Sequence, residues 1–311
     1  MSRIPIGVVG VGHLGAIHAR IYSQLPTAQL VGVCDVRPEQ ARAVAQAHGT
    51  TPYSDLRELL PRVQAVSIAV PTAAHHAVAK ICLAAGVHIL LEKPITRTLA
   101  QADALLALAR RHRVTLQVGH VERFNSAFQG IAAILKHPRF IECHRLGPYT
   151  QRGTDVGVVL DLMIHDIDIV LWLVGQPVRR IDAVGVSVLS PSEDIANARL
   201  TFANGTVANL TASRVTPETL RKIRLFQSDT YISVDYAAQT VKVFQKRDGA
   251  IAHQELPIQR EEPLKAELAA FLEAVQHGHR PVVTGDDARE ALRVALAITR
   301  KIQKGSDPFG H

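Results

Sequence analysis

The chain reads as an α/β protein, with an N-terminal doubly wound parallel sheet and a C-terminal α/β domain built on a mainly antiparallel open sheet. Three observations predict this. From Ile4 to about Val118, short uninterrupted apolar runs alternate with segments of helical period, as parallel strands buried on both faces require. Gly10-Val11-Gly12-His13-Leu14-Gly15 stands between the first apolar run and the first helix. Beyond about Phe124 the runs lengthen and alternate, and the pairs Asn204-Gly205 and Asp248-Gly249 mark tight turns between antiparallel strands.

Taken in order, Ile6–Val9, Leu30–Cys34, Val66–Val70, His88–Leu91 and Thr115–Val118 are expected strands. Leu14–Leu25, Glu39–His48, Ala74–Ala85 and Leu99–His112 are the helices between them, with Gly49 and Gly86 as stops. A helix at Ala127–Lys136 and a strand at Arg139–Leu146 then lead to a helix near Val158–Leu173. Strands follow at Arg180–Leu189, Ala196–Phe202, Thr206–Ser213, Leu220–Gln227 and Val241–Gln245, and helices at Leu264–His277 and Asp286–Gln303. The expected boundary divides residues 1–121 from 122–311. A sheet with one free face suits a homodimer or homotetramer.

The 311 residues carry 47% hydrophobic and 20% charged side chains, ordinary for a globular protein. The net charge of +7 is spread without basic runs or interleaved aromatics, which disfavours a nucleic-acid platform and suits small phosphate-bearing ligands. Cys34, Cys82 and Cys143 form no CxxC pair and read as reduced core residues of a cytoplasmic protein. Glycines interrupt the first apolar run, so no signal peptide is expected. Val156–Gly175 has nearly the length of a membrane span, but Asp161, His165, Asp166 and Asp168 argue against one. Neither HExxH nor paired Cys/His spacing is present, so no metal is expected.

The glycine turn has the context of a dinucleotide site. Gly10 permits the tight turn, Gly12 admits the pyrophosphate to the backbone, and Gly15 lets helix and strand pack closely. His13 and Leu14 bring their backbone to the same helix N-terminus, where unpaired N–H groups favour phosphate. Asp35, twenty residues after Gly15, ends the second strand and can accept both ribose hydroxyls, so NAD is expected over NADP; Arg37 is the one feature nearby that suits a 2′-phosphate. Val70-Pro71-Thr72 ends the next strand, with His75 following. Two readings fit Thr72: a contact to the adenosine or ribose half, or a helix N-cap.

Glu92-Lys93-Pro94 ends the strand after that, again at the carboxyl edge of the sheet. A lysine there can donate to a substrate oxygen as alkoxide character develops, and Pro94 restricts the backbone before it. A solvated surface Glu–Lys pair fits the spacing equally well. Asp161, His165, Asp168 and Trp172 recur at i, i+4, i+7 and i+11 on an otherwise apolar helix. His165 can take a hydroxyl proton, with a carboxylate to orient the ring. A core histidine satisfied by a carboxylate is the alternative.

On these residues the chain resembles the Gfo/Idh/MocA oxidoreductases. The likeness runs over essentially its whole length, through Gly10–Gly15, Val70-Pro71-Thr72 with His75, Glu92-Lys93-Pro94, and Asp161 to His165 and Asp168. It departs where Met163 replaces a common glycine and Thr72 a common asparagine. The resemblance implies a Rossmann domain joined to an α/β domain, a nicotinamide cofactor, and a sugar or cyclitol substrate. It also implies cofactor contacts along Val70–Thr72, His75, Glu92 and Lys93, and acid–base roles for Lys93 and His165.

Val118-Gly119-His120-Val121-Glu122-Arg123-Phe124-Asn125 and Asp161–Asp168 resemble a narrower branch, the UDP-N-acetylglucosamine 3-dehydrogenases. That likeness implies oxidation of the sugar C3 hydroxyl by NAD, ahead of an aminotransferase, in making a diamino sugar for lipid A. His165 would be the base, Lys93 would polarise the hydroxyl, and Asp161 would bind or orient the sugar. Arg123, Asn125 and Arg152 are candidates for the sugar and its diphosphate. The alternatives are another sugar or inositol as substrate, or a non-enzymatic NAD-binding regulator.

Overall fold

The computed structural model describes residues 3–131, 134–150, 156–247 and 249–305. The chain forms two compact units, one from Met1–Val121 with Leu264–Glu290 and one from Glu122–Pro263 with Ala291–His311.

In the first unit, strand β1 (Ile4–Val9) leads to helix α1 (His13–Gln24), β2 (Ala28–Cys34), α2 (Pro38–His48), β3 (Thr51–Tyr53) and the short α3 (Leu56–Leu59). Then come β4 (Ala65–Ile68), α4 (Thr72–Ala84), β5 (His88–Glu92), α5 (Leu99–His112) and β6 (Leu116–Gly119). Local signals set the ends. Pro38 starts α2, Gly49 stops it at φ +62°, and the Thr98 hydroxyl accepts from Gln101 N–H at the start of α5. All strand pairs in the sheet are parallel, in the order β3-β2-β1-β4-β5-β6. Chain progression reverses between β1 and β4, where such folds place a ligand at the carboxyl ends of the strands.

The second unit carries α6 (Ser126–Ile131), β7 (Phe140–Leu146), a π-helical turn (Val159–Met163) and α7 (Ile164–Val174). Strands β8 (Val178–Val186), β9 (Ile195–Phe202), β10 (Val207–Ser213), β11 (Leu220–Phe226), β12 (Thr230–Asp235), β13 (Thr240–Arg247) and β14 (Ala250–Leu256) follow. The sheet order is β14-β13-β12-β11-β7-β10-β9-β8, antiparallel except where β10 runs parallel to β7. Strict alternation sends Ile141, Leu225, Ile232 and Val243 into a core shared with α6 and α7. The other face carries an aromatic row in register, Phe140–Phe226–Tyr231–Phe244–His253, with ring centroids 4.7–5.6 Å apart.

The last two helices are α8 (Pro263–His277) and α9 (Gly285–Gly305). Assigning all of residues 122–311 to one domain differs from this arrangement, because Leu268, Phe271 and Leu272 of α8 are buried in the first unit's core with Ile6, Val8 and Tyr22. The remainder of α9, from Ala291 to Ile302, packs into the second core. Strands β3, β12 and β14 are additions to the sequence expectation. No helix among the described residues is long and apolar enough to cross a membrane, and all three cysteines are buried and unbridged.

Candidate active site

Three glycines shape the turn after β1 for three different physical reasons. Gly10 sits at φ +79°, and a Cβ there would meet Val70 N at 2.8 Å. A Cβ at Gly15 would lie 1.9 Å from the Gly10 carbonyl, so α1 packs against the turn only without one. A Cβ at Gly12 would meet nothing within 4 Å. Its bareness serves no contact within the chain and leaves room for a ligand against the backbone. Helix α1 has no side-chain cap and no acidic residue in its first turn, which suits an anion at its N-terminus.

A cavity of about 560 Å³ opens beside this turn, lined by Gly10, Gly12, Asp35, Val36, Arg37, Leu56, Val70, Pro71 and Val78, among others. The Asp35 carboxylate is fixed there by two backbone donors, Val11 N–H and Arg37 N–H, each at 2.9 Å. Each oxygen keeps a lone pair for a ribose hydroxyl, and its charge opposes a 2′-phosphate. The Arg37 side chain is largely exposed, with Nε 3.5 Å from Asp35 Oδ1. A bare Gly12 backbone, an uncapped helix and a fixed acid at an apolar slot fit NAD.

The structure redistributes several expected contacts. Thr72 is the first residue of α4 and Pro71 occupies the cap position without a side-chain bond, so Thr72 is not an N-cap. His75 is buried, its Nδ1 2.8 Å from the Pro94 carbonyl and its Nε2 3.0 Å from the Val70 carbonyl. Neutral, with a single N–H, it donates to one of these carbonyls and packs between the ends of β4 and β5. Burial lowers its pKa more than the two carbonyls raise it.

Glu92 is not part of a solvated surface pair. Its carboxylate is buried, accepts from Lys93 N–H at 3.3 Å, and lies 3.3 Å from His18 Nε2. Burial alone would raise Glu92, but its contact with His18 and the charge of Lys93 bring it below the ordinary carboxylate value. Lys93, half-buried, is thus flanked by two anchored residues.

In the second unit the Asp161–His165 segment is not one regular helix. Ile164 N–H reaches the Val159 carbonyl five residues back, a π turn that changes the rotation between Asp161 and His165. Both side chains are half-buried. Entry to this turn is close-packed, since a Cβ on Gly157 would meet the Glu193 carboxylate at 2.1 Å and Val159 N–H donates to that group.

Below the turn, α7 is held by two arginines. Arg123 makes a bidentate pair with Asp168, both bonds at 2.7 Å, and its guanidinium lies 5.4 Å from the Trp172 ring centre. Arg145 on β7 reaches Asp166 at 3.0 and 3.3 Å and Glu122 at 3.1 Å. The Tyr236 hydroxyl donates to Asp166, and burial together with that carboxylate pushes its pKa well above the phenol range despite Arg145. Asn125 is buried too, donating to the Tyr236 carbonyl and accepting from Ala127 N–H. Arg123 and Asn125, expected as sugar or diphosphate contacts, are therefore engaged within the second unit. Arg152 lies outside the described residues.

Arg145, Tyr236 and His18 were missed in the sequence. The only signal was His18's place one turn beyond Gly15, since the partners of the other two are distant in the chain.

The description "Oxidoreductase family, NAD-binding Rossmann fold" is matched over residues 4–120, and "GFO/IDH/MocA C-terminal domain" over residues 117–233. The UDP-N-acetylglucosamine 3-dehydrogenase of Acidithiobacillus ferrooxidans is 39% identical over 306 residues, covering 96% of this chain and 97% of that protein. A solved structure of that enzyme superposes with a TM-score of 0.94 at 37% identity, covering 98% of this chain and 99% of the other. The myo-inositol 2-dehydrogenase of Thermotoga maritima is 27% identical, covering 96% of each chain.

Proposed function

The chain belongs to the Gfo/Idh/MocA oxidoreductase family as an NAD-dependent sugar dehydrogenase, and from that premise we propose that it oxidises the C3 hydroxyl of UDP-N-acetylglucosamine to the ketone. The observation that carries the substrate is the higher identity to the nucleotide-sugar enzyme than to the inositol enzyme over the same span.

When bound, the nicotinamide supplies the hydride acceptor. His165 takes the hydroxyl proton as the C3 hydrogen leaves with its electron pair, and the oxygen's electrons close the carbonyl. The Lys93 ammonium donates to that oxygen and steadies its negative charge. Asp161 orients the sugar. Gly12, His13, Leu14 and Gly15 would hold the pyrophosphate by backbone N–H groups, Gly10, whose own N–H bonds the Cys34 carbonyl at 2.8 Å, would shape the turn, and Asp35 would hold the ribose. The buried roles of Arg123 and Asn125 leave them as supports of the His165 helix. The ketone suits a downstream aminotransferase. A second copy of the chain covers the aromatic row on the open sheet face, an assignment supported by the half-buried rings of Phe140, Phe226, Tyr231 and Phe244 and the exposed ring of His253.

The test is NADH formation with UDP-N-acetylglucosamine, inositol or glucose, with glutamate and a transaminase present to pull the equilibrium. Turnover on the nucleotide sugar alone is expected. Turnover on inositol alone overturns the substrate assignment.

A further inference from the structure

The Lys93 turn rests on a buried set of polar side chains whose outermost member comes from the cofactor-facing helix. His18 lies three residues after Gly15 on α1 and is fully buried. Its Nδ1 is 2.7 Å from the Ser67 hydroxyl on β4, and its Nε2 is 3.3 Å from Glu92 Oε1 on β5. The other Glu92 oxygen accepts from Lys93 N–H, which closes the turn on the residue before the lysine. On the far side, the Pro94 carbonyl lies 2.8 Å from His75 Nδ1.

The carboxylate has little freedom. A Cβ on Gly119 of β6 would come within 2.9 Å of it, so this neighbour has to be glycine for the acid to lie where His18 meets it. A buried carboxylate is held ionised only by such partners, and its position is fixed by them. A shift of His18 would therefore be passed through Glu92 to the Lys93 backbone.

We propose that His18, braced by Ser67, is a positioning residue for Lys93: through Glu92 it fixes the lysine turn to the helix whose N-terminus faces the dinucleotide pyrophosphate. The inference rests on the role given to Lys93 above. A displacement of about 1 Å in a reacting group can lower turnover about a hundredfold without touching binding. His18 is fully buried, so its effect on turnover is expected to pass through the lysine.

The experiment is a double-mutant cycle with His18→Leu, His18→Gln, Lys93→Ala and the pair His18→Leu/Lys93→Ala, reading kcat, KM for the sugar, and NADH affinity. His18→Leu is expected to lower kcat by up to about a hundredfold with NADH affinity unchanged. His18→Gln, which keeps an amide N–H toward Glu92, recovers much of the loss. The double variant turns over no more slowly than Lys93→Ala alone. Losses that multiply in the double variant, or a His18→Leu enzyme with wild-type kcat, overturn the proposal. If Lys93→Ala itself has wild-type turnover, the lysine reading fails, a result the cycle separates from failure of the His18 link. Should His18→Leu not fold, Ser67→Ala and His18→Gln run through the same cycle, and additivity there overturns it equally.

Discussion

The Lys93 turn and the His165 helix are held in contrasting ways. Lys93 sits on a strand end, braced by one carboxylate, two histidines and backbone carbonyls of the first unit. His165 sits between a π turn and an α-helix, and the two aspartates after it, Asp166 and Asp168, are bound by Arg145 and Arg123. The first arrangement positions a residue by holding the backbone on either side of it. The second fixes a helix by buried charges whose removal leaves others unpaired. Function and stability should therefore separate at the first site and merge at the second.

Substitution of the lysine should separate turnover from stability most. Lys93→Ala is expected to lose about 10²–10⁴-fold in turnover while its melting temperature stays near wild type; an equal loss of stability would erase the distinction. Next, Arg145→Ala leaves Asp166 and Glu122 buried without their cation and should destabilise by about 3–5 kcal/mol in denaturant titration. A change within error would show that the network is not structural.

Within the first unit, two glycines of the cofactor turn separate stability from binding. Gly15→Ala forces a Cβ onto the Gly10 carbonyl and should destabilise by about 1–3 kcal/mol or more. Gly12→Ala meets no protein atom, so it should leave the melting temperature unchanged and weaken NADH binding in a fluorescence titration. If both lower stability alike, Gly12 is not reserved for a ligand.

Much of this was legible in the sequence because its signals are local. The continuous apolar runs of β1, β4 and β5 specify buried parallel strands, and the glycine spacing with Asp35 specifies the turn they flank. Strand β14 was missed because its residues are mostly exposed and carry no apolar alternation. Strand β3, three residues with a central proline, looks like a loop. The π turn leaves no mark in a spacing rule built on 3.6 residues. Arg145 meets Asp166 across 21 positions and Arg123 meets Asp168 across 45, separations that only the folded sheet and helix bring together.

The smallest predicted effect lies at His88, away from both sites. Its Nδ1 accepts from Thr115 N–H at 2.9 Å, so the ring is held neutral, and burial lowers its pKa from 6.5. The unfolded chain takes up the proton first as pH falls. The contribution of this residue to stability is therefore full above 6.5 and declines below it until the folded ring also protonates. His88→Asn, which accepts without titrating, should flatten the dependence of melting temperature on pH over that range; an unchanged slope would assign it to other groups.

Isotope transfer follows the C3 hydrogen itself. UDP-N-acetylglucosamine deuterated at C3 is incubated with the enzyme and NAD, and the reduced cofactor is weighed by mass spectrometry. NADH carrying the sugar's deuterium is expected, with none carried from substrate labelled at C4. Unlabelled NADH from the C3-deuterated sugar, or label arriving from C4, would contradict it.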